Sequence, residues 1–271
     1  MFSLEQIKFF NEKGYLVIKK FFSKKEIKAL QLEVKRIKDE GFFRNVATDG
    51  DGKTASKDLV NYQVMPLNDK SKLIRSLPFE KKVVDAVSSL IGNSFVLLGD
   101  QMFIKPPKIG IGTNWHQDNA YFKITNPLGG TAMWIAVDDA RIDNGTIHVI
   151  PKSFKNNYSH QRDPFSDHHI ICEVSDDEGV GIELDAGGVL FFCFGTAHCT
   201  KKNNSNKERA GLALHFLNSL YISEINLEFN KSKKNFPFIL GDKASGGLNE
   251  YGMIVSETWK DEVNKIIKGR N

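Results

Sequence analysis

In the segment Asn114-Trp115-His116-Gln117-Asp118 an imidazole and a carboxylate stand two residues apart, and a second histidine, His198, follows far downstream. Two neutral ring nitrogens and one hard anionic oxygen suit iron(II), and three protein ligands on an octahedral ion leave three positions open. Such a centre can bind an oxidisable cosubstrate and dioxygen together, which a closed site cannot. Arg209 lies eleven residues beyond His198. Its planar fork matches a carboxylate with two parallel hydrogen bonds. Together with Thr200, which has the strand parity of His198, it predicts an anchor for the distal carboxylate of 2-oxoglutarate. The chemistry these residues point to is oxidation of a C–H bond with iron(II), 2-oxoglutarate and dioxygen, the cosubstrate leaving as succinate and carbon dioxide. An isolated His-x-Asp occurs by chance in many chains. Five further histidines, His148, His160, His168, His169 and His215, are read mostly as structural or exposed.

Those residues need particular elements to hold them. On a strand, positions i and i+2 share a face, so His116 and Asp118 can grip one ion while Gln117 points away. His198 follows the apolar run Val189 to Phe194 and so falls at the far end of another strand. Lys201 to Glu208 is polar and reads as a hairpin turn, after which Arg209 opens a returning strand opposite His198 and Thr200. Cys199 has the opposite parity to His198 and is read as a buried thiol rather than a ligand.

The rest of the chain divides into a helical and a β-rich part. Leu4 to Asn11 is amphipathic. Ser23-Lys24-Lys25-Glu26 is a capping box opening a helix whose Ile27, Leu30, Val34 and Ile37 fall at helical spacing, with Gly41 as the stop. Residues 44 to 57 read as a surface loop or small hairpin. A second long helix runs from Phe79 to Gly92. From residue 95 short β-branched or aromatic runs take over: Phe95 to Leu98, Gln101 to Lys105, Thr131 to Val137, Thr146 to Ile150, Gly188 to Phe194 and Ala210 to Leu217. Turn residues separate them. Helices followed by many short antiparallel strands predict an α+β fold with a double-stranded β-helix core, a jelly roll of cupin type, flanked by N-terminal helices. One domain is expected over 1–271. Residues 1–94 are its mainly helical support, 95–220 the jelly-roll core with a lid at about 155–180, and 221–271 a C-terminal decoration ending in a helix from Glu257 to Lys268.

Bulk properties narrow the classes. The 271 residues are 41% hydrophobic and 26% charged, ordinary values for a globular protein, and the net charge is +4. No basic stripe interleaved with aromatics is present, so nucleic acid is not expected as a partner. Three cysteines, Cys172, Cys193 and Cys199, argue against a disulfide framework. No signal-peptide core or membrane-spanning apolar run is seen. A reducing cytoplasm, which also keeps iron ferrous, is the expected location. The sequence leaves the oligomeric state open.

Several further segments, in one order, carry a resemblance: Met102-Phe103-Ile104-Lys105-Pro106-Pro107, Trp115-His116-Gln117-Asp118-Asn119-Ala120-Tyr121-Phe122, and Trp134-Ile135-Ala136-Val137-Asp138-Asp139-Ala140. Asn144-Gly145-Thr146-Ile147-His148-Val149-Ile150-Pro151, Gly188-Val189-Leu190-Phe191-Phe192, His198-x-Thr200 and Arg209 follow. Together they resemble the phytanoyl-CoA dioxygenase family of iron/2-oxoglutarate oxygenases. The resemblance spans most of residues 95 to 218. It implies iron ligands at His116, Asp118 and His198, and 2-oxoglutarate contacts at Arg209 and Thr200, with Trp134 and Gln101 lining the cosubstrate pocket. Gln101 stands where relatives often have methionine. By analogy Tyr62 or Gln63 contributes from the preceding segment. Where the family often continues Ile-Pro-Gly-Ser-His, this chain has Ile150-Pro151-Lys152-Ser153-Phe154, so the usual histidine is missing. Related halogenases lack the carboxylate ligand; Asp118 fills that place and favours hydroxylation.

Substrate contacts are expected from Asn119, Tyr121, Phe122 and Lys123, which leave the metal-binding strand, and from the lid. Its His160, Arg162, His168 and His169, with Lys105 and Arg141, could meet an anionic group on a small-molecule substrate. A hydroxylase of protein or nucleic-acid targets would need an open groove, whereas a long lid favours a small molecule, and two other readings compete. One is desaturation, epoxidation, ring formation or demethylation on the same iron centre. The other is a non-catalytic jelly-roll protein that binds a small molecule.

Overall fold

The computed structural model describes residues 1–225, 236–245 and 255–269. The lysine-rich and Gly/Ser-rich stretches expected after Asn226 fall largely outside these.

Two capping boxes start the N-terminal helices. Ser3 and Gln6 exchange side-chain and backbone hydrogen bonds ahead of α1 (Leu4–Lys13), and Ser23 and Glu26 do the same ahead of α2 (Lys24–Asp39). Ile27, Leu30, Val34 and Ile37 of α2 are all buried, as their spacing requires. Between them lies β1 (Tyr15–Ile18). The segment 44–57 contributes β2 (Arg44–Asn45), followed by β3 (Tyr62–Val64). A short α3 (Lys72–Ser76) was not expected from the sequence; Ser71 caps it. Leu77-Pro78-Phe79 forms a 3-10 turn, so α4 (Lys81–Ile91) begins later than its apolar periodicity suggested.

The β-rich half contains β4 (Phe95–Lys105), α5 (Asn119–Phe122), β5 (Gly130–Ala136), β6 (Ile147–Val149), β7 (His160–Arg162), β8 (Ile170–Cys172), β9 (Val180–Gly181), β10 (Val189–Cys193), β11 (His198–Thr200), β12 (Arg209–Asn218) and β13 (Phe238–Leu240). The C-terminal helix is α6 (Trp259–Lys268). The runs Phe95 to Leu98 and Gln101 to Lys105 are one strand: β12 pairs along the whole of β4, and a register shift at His215/Phe216 absorbs the irregularity near Gly99.

The main sheet has the order β1-β10-β5-β12-β4-β3-β2, with β13 also on β4; a second sheet has the order β11-β6-β9, and β7-β8 is a separate hairpin. All these pairings are antiparallel. The result is an α+β fold with a cupin-like jelly-roll core.

Strand parity sorts the main sheet into two faces. Met102 and Ile104 of β4, Met133 and Ile135 of β5, and Leu212 and Leu214 of β12 point outward and pack with the buried faces of α1, α2, α3, α4 and α6. The alternate residues point inward. Trp134, Ala132 and Ala213 meet Ile147, Val149, Ile182 and Leu184 from the second-sheet side. The inward positions of β4 and β12 are therefore Gln101, Phe103 and Lys105, and Arg209, Gly211, Ala213 and His215. That run of polar groups cannot be there for core packing; it lines a cavity.

The expected hairpin between His198 and Arg209 does not form. β11 joins β6 in the second sheet, whereas β12 lies between β5 and β4 in the main one. Residues 201–208 cross between the sheets, fixed by Asn203, whose amide donates to the Lys105 and Lys207 carbonyls. Arg209 thus faces His198 and Thr200 across the interior rather than along a shared ladder. Among the described residues no helix is long and apolar enough to cross a membrane.

Candidate metal centre and cosubstrate pocket

The first two ligand candidates sit at a strand-to-helix junction, not on a continuous strand. His116 forms an isolated antiparallel bridge with His198, and the two exchange both backbone hydrogen bonds (3.0 and 2.9 Å). Asp118 already has helical backbone angles and precedes α5. The turn still brings both side chains to one side. Gln117 points away, as parity predicts, and its amide donates to the Asn156 and Gly195 carbonyls.

One ligand atom each from His116, Asp118 and His198 lie within 4.8 Å of one another, and all three residues are buried. Asp118 Oδ1 is 3.8 Å from His116 Nε2 and 3.7 Å from His198 Nε2. Each imidazole has its Nδ1 against a carbonyl two residues back: Asn114 at 2.8 Å and Thr196 at 2.9 Å. A carbonyl only accepts, so in the neutral ring Nδ1 carries the proton and Nε2 presents its lone pair to the centre. Burial lowers both imidazoles, His116 to about 3. Asp118 is held below the usual carboxylate range: burial opposes ionisation, but the surrounding histidines outweigh it. Its Oδ2 is buried without a hydrogen bond, although His215 Nε2 stands 3.3 Å away. Two neutral imidazoles, an ionised carboxylate and an orphaned buried oxygen fit a divalent cation such as iron(II).

The sequence did not single out His215 as part of this group. Its signal was available: it is six residues beyond Arg209 and shares its inward parity on β12.

Arg209 is 1% exposed. One Nη donates to the Gly145 carbonyl, its centre lies 5.6 Å from the Trp134 ring, and its Nε has no partner. Two glycines permit this arrangement. A Cβ on Gly211 would stand 2.7 Å from the Trp134 ring, so glycine lets the indole lie against β12. Gly145 has φ +76°, and a Cβ there would be 2.1 Å from the Lys201 carbonyl. Thr200 Oγ1 accepts from the Thr113 amide at 2.9 Å, leaving its own proton free to donate. Gln101 Oε1 accepts from Gln63 at 2.9 Å, which frees the Gln101 amide nitrogen. Gln63 faces inward, while Tyr62 packs on the outward side. Arg209, Thr200, Trp134 and Gln101 all line the cavity that holds the three ligand candidates.

The proposed substrate contacts divide. Tyr121 and Phe122 line the cavity, joined by Met65, Phe103, His168 and His169. Asn119 does not: its side-chain amide closes α5 onto the backbone of Ile124 through both of its polar atoms. Lys105 lines the cavity at the Arg209 end, not at the mouth. Arg141 and Arg162 are outside the lining; Arg141 pairs with Asp185 and Asp139, and Arg162 donates to the Asp167 carbonyl. His160 accepts from the Gln117 amide and so has a structural task. The expected lid segment is built on the β7-β8 hairpin rather than an irregular loop.

The model of the phytanoyl-CoA dioxygenase (PhyH) family matches residues 10–211. The chain belongs to the phytanoyl-CoA dioxygenase family. Membership makes it a dioxygenase, of the class that uses iron and 2-oxoglutarate. The chain is 27% identical over 252 residues to a phytanoyl-CoA dioxygenase of Arabidopsis thaliana, covering 79% of this chain and 88% of that one. In fold it is similar to the carbocyclase SnoK of nogalamycin biosynthesis, with a TM-score of 0.67 and 19% identity over 89% of this chain and 88% of that one. It is likewise similar to the epimerase SnoN in complex with Fe3+, alpha ketoglutarate and nogalamycin RO, with a TM-score of 0.68, 16% identity and coverage of 83% and 88%.

The imidazoles also make a prediction about stability. Burial holds His169 well below its ordinary value; His116, His148, His160, His168 and His198 are lowered too. Below about pH 6.5 the unfolded chain takes up protons that the folded chain refuses. Stability is therefore complete above that pH and falls as the pH drops, at up to ~1.4 kcal/mol per pH unit for a fully buried imidazole such as His169 and by much less for the half-exposed His148 and His160. Urea unfolding at pH 7 and pH 5 should show the loss in the metal-free protein, and His169→Asn should shrink it. An equal drop in the variant would exclude His169 as a contributor.

Proposed function

We propose that this protein is an iron(II)- and 2-oxoglutarate-dependent hydroxylase of a small-molecule substrate, working as a single catalytic unit. The observation that carries the reading is the convergence in one cavity of His116, Asp118 and His198 with a buried arginine whose Nε is unpaired. When bound, iron(II) with 2-oxoglutarate and dioxygen supplies the oxidising power for a C–H bond and releases succinate and carbon dioxide. The protein supplies position and exclusion of water. His116 and His198 offer lone pairs fixed by their Nδ1 hydrogen bonds, and Asp118 offers the anionic oxygen. Arg209 and the Thr200 hydroxyl hold the distal carboxylate of the acid, while Trp134 and Gln101 shape its slot.

The substrate end is walled by Met65, Phe103, Tyr121, Phe122, His168 and His169. Of the residues lining the cavity, the lysine and arginine, Lys105 and Arg209, are both at the cosubstrate end. The reacting part of the substrate is therefore uncharged and largely apolar. Any anionic group it carries lies outside, at the mouth.

Ring formation or epimerisation on the same centre is the competing outcome, since fold neighbours are named for such reactions. The test is anaerobic addition of iron(II) and 2-oxoglutarate, followed by the weak visible charge-transfer band of their complex and then a metabolite panel. A compound that perturbs the band and couples oxygen uptake to succinate identifies the substrate, and the mass of its product separates hydroxylation from ring formation. If no band forms and no succinate appears, the reading falls.

A further inference from the structure

His169 stands at the substrate end of the cavity and is 7% exposed. Its ring lies against those of Phe103 and His168, with centroids 5.7 and 4.1 Å away, and its Nδ1 is 2.9 Å from Ser166 Oγ. The backbone is fastened too. The His169 carbonyl accepts from the Asp163 amide, and the Asp163 carboxylate accepts from the side chain of Asn114, two residues before His116.

The tautomer of this ring follows from Ser166. Its Oγ accepts the backbone N–H of His169, and the buried hydroxyl must still place its own proton. Among the described residues the acceptor it meets is His169 Nδ1. In a neutral imidazole whose Nδ1 accepts, Nε2 carries the proton. Burial keeps the ring neutral. This is the opposite tautomer to His116 and His198, whose Nε2 atoms present lone pairs. His169 therefore offers the cavity a donor and is not a further metal ligand.

A second donor belongs to the same end. Tyr121 lines the cavity, edge-on to the His116 ring with centroids 6.3 Å apart. Its phenol oxygen accepts from the amide of Ile170, the residue after His169, at 3.1 Å, which leaves the phenol proton to be given elsewhere. Burial, with the Asp118 and Asp163 carboxylates, raises Tyr121 above the ordinary phenol value against the opposing Ile170 amide and Arg162. The phenol keeps its proton, and the same two carboxylates disfavour an anion beside it. Arg44 and Arg162 are outside the lining, the first paired with Asp167 and the second donating to the Asp167 carbonyl.

We propose that His169 Nε2–H and the Tyr121 hydroxyl together hold an uncharged acceptor oxygen of the substrate, a carbonyl or hydroxyl oxygen, and so decide which neighbouring C–H bond faces the metal. This rests on the reading above that the cavity takes a small-molecule substrate over an iron centre. The substrate is then an oxygenated molecule with an otherwise apolar reacting part, and one that lacks such an oxygen is bound but poorly oriented. The donors are fixed before the substrate arrives, so little ordering is needed when it binds.

Two measurements test this. The first needs no metal. Nitrogen-15 NMR of histidine-labelled protein at pH 7.5, with the signal assigned by its loss in His169→Gln, should show His169 protonated on Nε2. A proton on Nδ1 overturns the proposal. The second titrates the iron(II)–2-oxoglutarate protein without oxygen, following the charge-transfer band, with cyclohexanone and with methylenecyclohexane, in which CH2 replaces the carbonyl oxygen. The wild type should favour the ketone. His169→Phe, which keeps an aromatic ring against Phe103, and Tyr121→Phe should each weaken the ketone about 2- to 10-fold, the range for one neutral hydrogen bond. Neither should alter the alkene by more than about twofold. His169→Gln, whose amide nitrogen replaces Nε2, should restore most of the preference. Equal losses for both probes, no preference in the wild type, or tighter binding of cyclohexanecarboxylate than of the ketone overturns the proposal. If no band forms with iron(II) and 2-oxoglutarate, the iron reading fails by itself, while the tautomer measured on the metal-free protein still decides whether His169 is a donor.

Discussion

Replacing His116 with alanine should abolish the charge-transfer band of the iron(II)–2-oxoglutarate complex and remove the thermal stabilisation that added metal gives the wild type. The residue is one of the three ligand candidates, and its lone pair is aimed by the Asn114 carbonyl behind it. Loss of a group that merely orients a ligand costs metal affinity about 10–100-fold; loss of the ligand itself should cost more. His148→Ala is the control. Its neighbours Ile147 and Val149 face the interior, so His148 faces the other way, against Gly181 of β9. That variant should keep the band and the metal-dependent melting shift. An unchanged band in the His116 variant would end the metal assignment.

Arg209→Ala should weaken 2-oxoglutarate binding by about 1.5–3 kcal/mol, the scale for a hydrogen bond to a charged group. Arg209→Lys should recover part of this at most, because an ammonium lacks the planar fork. Isothermal titration under anaerobic conditions measures both, with metal content checked in parallel so that a damaged centre is not mistaken for a lost anchor. Affinity unaltered in the alanine variant would remove Arg209 from the cosubstrate site.

The sequence disclosed more of the site than of the connections that build it. That His116, Asp118 and His198 would come together could be read from donor type and spacing, and the outward and inward faces of β4, β5 and β12 from period-two alternation. Pairing partners could not. A polar stretch between two strands looks the same whether it turns a hairpin or crosses between sheets, and residues 201–208 cross. Asp118 was placed on a strand because the i, i+2 rule puts both side chains on one face there, yet the turn out of the His116 bridge into α5 brings them together as well. Asn119 was a reasonable surface contact until its amide proved to close α5. Lys105 was grouped with the basic lid residues because charge alone gives no depth; only the register with Arg209 puts it at the cavity's far end. His215 escaped notice because its partner, Asp118, is distant in the chain.

The mutual backbone clasp between His116 and His198 has one more consequence. Because each donates its amide to the other's carbonyl, the spacing of the two rings is set by peptide groups and not by the ion. The cage is thus standing before any metal arrives, and removal of metal by a chelator should leave the deuterium uptake of those two amides slow. A centre of this kind can lose and regain its ion repeatedly without the chain having to rebuild the surroundings each time.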